Sequence, residues 1–210
     1  MERIPPDEFI LDTPAVRSFL AAVRETIAMH PREPMAALDA LRPRFVALLA
    51  DPTWLPDVYA QANPQSGMGG GIGQWLLFRA GDGSLSFFSL VVPPGQSTPV
   101  HDHLAWGLVG LYRGEQIETV YRRVDDGTRE GYADLVEQER RLLRPGDCYM
   151  LLPPDGDIHA VMTVSETPSV SIHLLGNDTG CTWRHAFDAE RRSVRAFRSG
   201  YSNRTCKGND

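Results

Sequence analysis

The chain has 210 residues, enough for one domain with a sizeable core plus an appendage, and its 42% hydrophobic and 23% charged residues are ordinary for a globular protein. A formal net charge of -6 excludes broad phosphate neutralisation, and Arg191-Arg192 with the later scattered arginines form no basic stripe, so no nucleic-acid partner is expected. No apolar run approaches the roughly 20 residues of a membrane span, and no charged-then-apolar leader opens the chain, so no membrane partner is expected either.

In chain order, residues 1–12 form a loose lead-in broken by Pro5-Pro6. Asp12 or Thr13 can cap a helix whose first turn holds Pro14 and whose Val16, Phe19, Leu20, Val23 and Ile27 recur at helical spacing. A second helix is predicted from about Met35 to Ala50, with Leu38, Leu41, Phe45, Leu48 and Leu49 on one side and Pro43 inside it. Both are expected to pack on the domain that follows. Gly67-Met-Gly-Gly-Gly-Ile-Gly73 lacks the Lys-Ser/Thr of a phosphate loop and is assigned as a flexible connector.

From Gln74 the character changes. Runs at 74–79, 85–92, 106–112, 116–121, 135–137, 148–152, 160–164 and 170–174 are short and rich in β-branched and aromatic residues, with Gly, Pro and Asp turns between them. Many short strands at regular spacing predict a sandwich or barrel, into which Trp106 and Tyr112 are expected to pack. Trp183 either flanks a pocket or packs in the core. From about Asp188 the chain is polar and poorly periodic, which predicts a surface-wrapping tail. The division is therefore 1–66 helical, 67–188 barrel and 189–210 tail. Cys148, Cys181 and Cys206 are odd in number and form no C-x-x-C pair, so no disulfide and a reducing cytoplasm are expected.

The chemistry concentrates in Pro99-Val-His-Asp-His103 and Gly156-Asp-Ile-His159. In a strand, alternate side chains share a face, so His101 and His103 project together. With His159 from a later strand they would make a facial set of three imidazoles, a donor set suited to iron, zinc, copper or nickel. Three protein ligands leave positions open, as catalytic metal sites do. Asp102, between two of them, should face away from the metal and can orient a neighbouring loop. His30 and His185 have no partners at ligand spacing and are expected at the surface.

Gly95, His101, His103, Gly114, Gly146, Pro154, Gly156 and His159 are spaced in a way that resembles the two motifs of the cupin superfamily. The resemblance implies a mainly β fold, a double-stranded β-helix or small jelly-roll barrel, with the N-terminal helices packed on it. The acidic ligand that many cupins place in the first motif is absent, Gly107 or its neighbours standing there, and the gap from Gly146 to Pro154 is slightly long. Cupins without that acid resemble the thiol dioxygenases. The stretch 99–114, Gly156-Asp-Ile-His159, Ser169-Val-Ser-Ile-His173 and Ser199-Gly-Tyr-Ser-Asn203 look like the bacterial 3-mercaptopropionate dioxygenase and cysteine dioxygenase family.

That resemblance implies Fe(2+) held by His101, His103 and His159, and both atoms of O2 added to the sulfur of a small mercapto-carboxylate to give a sulfinate. It matches Ser171 and His173 to two members of a Ser-His-Tyr relay whose third position is Leu175 here. Arg184 matches an arginine that holds the substrate carboxylate, and Gln74 a glutamine where the cysteine-specific branch has arginine. Gly107 falls where animal enzymes carry the Cys of a Cys–Tyr cross-link, so none can form. The expected partners are the thiol acid and O2, on a monomer or homodimer. A cupin metalloenzyme of another class, or a small-acid-binding cupin without turnover, are the alternatives.

Overall fold

Thr13, not Asp12, opens the first helix of the computed structural model, which describes residues 4–63 and 68–206. Its Oγ1 accepts a hydrogen bond from Val16 N at 3.3 Å, and Pro14 fills the first turn, where a missing N–H costs nothing. Helix α1, Pro14–Met29, buries Val16, Phe19, Leu20 and Val23. Helix α2, Pro34–Ala50, buries Ala37, Leu38, Leu41, Phe45 and Leu49, and Pro43 lies on its exposed side beside Asp39, where water can serve the freed carbonyl. Gly67 of the expected connector, and the boundary at 66 and 67, lie outside the described residues.

Twelve strands follow the order β1 Glu8–Phe9, β2 Gly73–Arg79, β3 Ser86–Val92, β4 Val100–His101, β5 Gly107–Arg113, β6 Gln116–Arg123, β7 Leu135–Leu143, β8 Cys148–Leu151, β9 Ile158–Thr163, β10 Ser169–Leu175, β11 Arg184–Asp188 and β12 Ser193–Phe197. They form two antiparallel six-stranded sheets, ordered β1-β2-β3-β10-β5-β8 and β12-β11-β4-β9-β6-β7. From β3 onward the chain passes back and forth between the sheets, the winding of a double-stranded β-helix. Among the described residues the fold is mainly β, with two α-helices and one short 3-10 turn at Asp57–Ala60.

The first sheet is apolar on both faces. Phe87, Val91, Leu108, Ile172 and Leu174 face the helices, while Phe88, Leu90, Val109, Leu111 and Leu175 face the barrel interior. With both sides covered, every residue of β3 and β10 is buried, so neither strand alternates between buried and exposed. Tyr112 and Trp106 belong to the helix-facing cluster, not the barrel interior expected for them, and Tyr112 Oη donates to the Asp51 carbonyl at 3.0 Å.

Two expectations about the C-terminal region are corrected. Residues 193–197 are a strand, because β12 pairs along all of β11 and extends the second sheet. Cys181 and Cys206 form a disulfide with Cα atoms 5.2 Å apart, and Cys148 is the free thiol. Folding brings together two cysteines that show no pairing motif in the sequence. No helix among the described residues is long and apolar enough to cross a membrane.

Candidate metal centre

β4 is only two residues long, yet it places the first histidine. It sits between β11 and β9, and His101 pairs directly with His159 across the ladder. Cross-strand partners share a face, so both rings enter the barrel. His103 follows after β4, and its chain direction is fixed by Asp157. Oδ1 of Asp157 accepts from His103 N and Oδ2 from Leu104 N, both at 3.0 Å, which stabilises the left-handed φ of +53° at Leu104. Asp157 is itself presented by a tight turn in which Gly156 has φ +69°.

The three rings lie 4.8, 5.0 and 4.9 Å apart, centroid to centroid, and their ligand nitrogens are within 4.8 Å of one another. All three residues are buried. Every Nδ1 has an oxygen acceptor: the Pro99 carbonyl at 2.8 Å for His101, the Asp157 carbonyl at 3.3 Å for His103, and Glu118 Oε1 at 2.7 Å for His159. These acceptors fix the Nδ1–H tautomer and leave each Nε2 lone pair as a metal donor. Burial, then the neighbouring positive charges, pushes His101 well below its ordinary pKa; burial also lowers His103 despite its bond to Asp157. Both rings are therefore neutral, as ligands must be. The residues fit a divalent metal held by three imidazoles.

Sequence reasoning missed Glu118 and the carboxylate role of Asp157. Glu118 is 1% exposed and also accepts from Arg141 Nε at 2.6 Å. Burial raises the Glu118 carboxyl, but His159 and Arg141 outweigh it and hold the pKa below its ordinary value. The signal was in β6, where Gln116, Glu118 and Val120 alternate inward: a charged residue at a core-facing position. Tyr149 Oη lies 3.5 Å from His159 Nδ1, and Arg141 lies over the Tyr149 ring.

Ser171 and His173 sit on one face of β10, with Ser171 Oγ 2.9 Å from His173 Nε2. His173 stacks on Phe88 at 4.6 Å, and its buried Nδ1 has no partner. Burial above all, with the Arg184 cation nearby, holds His173 well below its ordinary pKa. Gln74 pairs with Leu90, which pairs with Ser171, so Gln74 joins the same inward row; its buried Nε2 has no partner. Leu175 pairs with Gly107, where a Cβ would overlap Leu175 Cδ2 and the Leu174 carbonyl.

Arg184, on β11, is 4% exposed. Its Nε donates to the Thr179 carbonyl at 3.3 Å, Nη1 to the Asp102 carbonyl at 2.8 Å and Nη2 to Ser199 Oγ at 3.0 Å. Phe197 lies under the guanidinium at 4.6 Å and 6.1 Å from the His101 ring. Among the described residues no carboxylate reaches ion-pair distance. Burial lowers the Arg184 pKa to about 10, still well above neutrality. The carboxylate of Asp102 turns away, accepting from His185 N at 2.7 Å and from His185 Nδ1 at 2.6 Å. His185 has 46% of its side chain exposed, as expected of a surface residue, and is hydrogen-bonded to Asp102. Trp183 is exposed, with Arg198 stacked 4.8 Å over it.

No protein-family model matches the chain. Among solved structures it is similar to an oxalate oxidase in complex with the substrate analogue glycolate, with 18% identity, 61% of each chain covered and a TM-score of 0.43. An uncharacterised conserved protein with a double-stranded β-helix domain from Klebsiella pneumoniae gives 15% identity over 58% of this chain and 86% of that one, with a TM-score of 0.42. A cupin superfamily protein from Desulfitobacterium hafniense gives 17%, 51% and 78%, with a TM-score of 0.36. The chain spans about three-fifths of the length of the first solved structures it matches. The barrel of this chain holds three buried histidines that could bind a metal.

Proposed function

We propose that this protein is a non-haem Fe(II) thiol dioxygenase acting on a small mercapto-carboxylate. The observation that carries the reading is Arg184. A buried, protonated guanidinium with no carboxylate partner is costly unless an anion completes it. Three of its five N–H groups are used within the protein, leaving two for a bidentate carboxylate. Its bond to the carbonyl of Asp102 ties it to the backbone between two of the histidines.

Iron(II), when bound, supplies the chemistry that brings both atoms of O2 onto a thiol sulfur to give a sulfinate. The protein contributes the rest. Arg184 anchors the carboxylate and so sets the length of carbon chain between acid and sulfur. His173, oriented by Ser171, points a buried nitrogen without a protein partner into the interior. The apolar lining from Phe88, Val109 and Leu175 excludes water. Gln74, neutral where an arginine would add a second cation, favours 3-mercaptopropionate over cysteine, with mercaptosuccinate also compatible.

The test is to load the protein anaerobically with Fe(II), add thiol and O2, and assay sulfinate by mass spectrometry. The expected result is one sulfinate formed per O2 consumed, with Arg184→Lys raising KM for the thiol acid about 10-fold or more, since a point charge replaces a planar fork. No oxygen uptake with any small thiol acid refutes the proposal. Leu175, which puts no hydroxyl beside His173, favours a second reading as a small-acid-binding cupin; that reading expects tight binding of the acid without turnover.

A further inference from the structure

Beyond Phe197 the described residues form no further strand, yet 199–203 are hydrogen-bonded to the barrel one after another. Ser199 Oγ accepts from Arg184 Nη2 at 3.0 Å. Gly200 N donates to the Gly180 carbonyl at 2.8 Å. Tyr201 Oη accepts from Gly180 N at 3.2 Å and donates to Asp178 Oδ1 at 2.7 Å. Ser202 N donates to the Gln74 carbonyl at 2.6 Å while Ser202 Oγ accepts from Gln74 N at 3.0 Å. The Asn203 amide makes the same exchange with the backbone of Leu76, both bonds at 3.0 Å. The disulfide from Cys206 to Cys181 pins the far end.

This strap touches both residues assigned to substrate binding. It holds the Arg184 side chain through Ser199 and the Gln74 backbone through Ser202. Cys181 lies three positions before Arg184, so the cross-link joins the strap to the very segment that carries the anion anchor. Both cysteines are half-buried rather than sealed in the core, and Cys181 lines a surface cleft beside Arg79 and Asp178 that a small thiol can enter. Closing a loop between residues 25 apart restricts the ensemble the strap explores when detached, which favours the docked form.

We propose that the Cys181–Cys206 bond is a thiol-exchange site that controls the docking of residues 199–203 and, through Ser199, the set of Arg184. A small thiolate adds to one sulfur of the pair; the S–S bond breaks, a mixed disulfide forms and the other cysteine leaves as thiolate. A second thiolate displaces the remaining protein sulfur. In sum two thiols are oxidised to one disulfide, and the protein pair takes up the two electrons and, with solvent protons, becomes two thiols. In the closed form Ser199 fixes Nη2. In the open form the strap detaches, and Arg184 keeps only its bonds to Thr179 and Asp102. The consequence for turnover rests on the reading of Arg184 as carboxylate anchor; the consequence for the strap does not.

The experiment equilibrates the full-length protein with glutathione buffers of graded reduction, alkylates the free thiols, and reads the state of Cys181 and Cys206 by mass spectrometry and amide exchange at 74–76 and 199–203. The expected result is a transition within the buffer range, with exchange at Gly200 and Ser202 rising about 10-fold or more on reduction while β9 stays protected. Cys206→Ser reproduces the reduced pattern. In the iron-loaded protein, reduction raises KM for the thiol acid about 5-fold and changes kcat less, the signature of a weakened ground-state anchor. A pair that stays oxidised in excess glutathione, or a strap whose exchange is unchanged after reduction, overturns the proposal. Faster exchange in a protein that turns over no thiol acid upholds the strap and removes the dioxygenase reading instead.

Discussion

Replacing Glu118 by glutamine removes one charge from behind the metal centre and alters nothing that points into it. The carboxylate is buried and accepts two short bonds, from His159 Nδ1 at 2.7 Å and Arg141 Nε at 2.6 Å. A glutamine has one accepting oxygen and one donating NH2, so it cannot serve both donors. Arg141 is the partner that can leave, because its side chain is 33% exposed and water can replace the bond. The amide oxygen therefore stays with His159, and what is lost is the charge. A hydrogen bond to a charged group is worth ~1.5–3 kcal/mol and a neutral one ~1 kcal/mol. The difference of roughly 0.5–2 kcal/mol corresponds to metal binding about 2- to 30-fold weaker, overlapping the cost of losing outer partners of histidine ligands. Competition titration of the apo-protein with Zn(II) or Fe(II) at pH 7 measures it, with circular dichroism reporting the fold. Glu118→Ala, which leaves His159 Nδ1–H only the Tyr149 Oη at 3.5 Å, should cost more than the glutamine. A folded Glu118→Gln variant that binds metal as tightly as the wild type refutes the argument.

Other outcomes follow from burial. Gly107→Ala should destabilise the protein by about 1–3 kcal/mol, since the new methyl meets the Leu174 carbonyl, part of a paired strand that cannot move aside; urea unfolding that matches wild type contradicts this. His101, His103 and His173 are all held below their ordinary pKa, by burial first. In the unfolded chain they protonate near pH 6.5, so below that the unfolded state binds more protons and the metal-free fold loses stability. The urea midpoint of the apo-protein should therefore drop between pH 7.5 and pH 5.5, and an unchanged midpoint would show these rings are not buried neutral.

Strand periodicity located eight of the twelve strands, because β2, β3, β5, β6, β8, β9 and β10 carry dense apolar or β-branched runs and β7 begins with one. The strands it passed over are those whose pattern is weak. β1 and β4 are two residues long, and β11 and β12 alternate poorly, their burial being supplied by neighbours that arrive from elsewhere in the chain. The same limit explains Trp106 and Tyr112: alternation shows that a strand has two faces but not which face meets the helices.

The motif spacing by itself singled out the three histidines that the fold brings together. Strand alternation is not what joins the first two rings, because β4 ends at His101 and the carboxylate of Asp157 sets the chain at His103, while the Gly156 turn presents His159 locally. The amino-acid order also predicted that two N-terminal helices would pack on the barrel. Only the tertiary structure decided what surrounds the trio. Glu118 reaches His159 from β6, Asp157 clamps the chain at His103, Ser199 meets Arg184, and Cys206 closes on Cys181. Each of these contacts joins residues distant in sequence, and the physical reason is common to all: local periodicity fixes the direction of a side chain, whereas the identity of its partner depends on which strands the sheets place side by side.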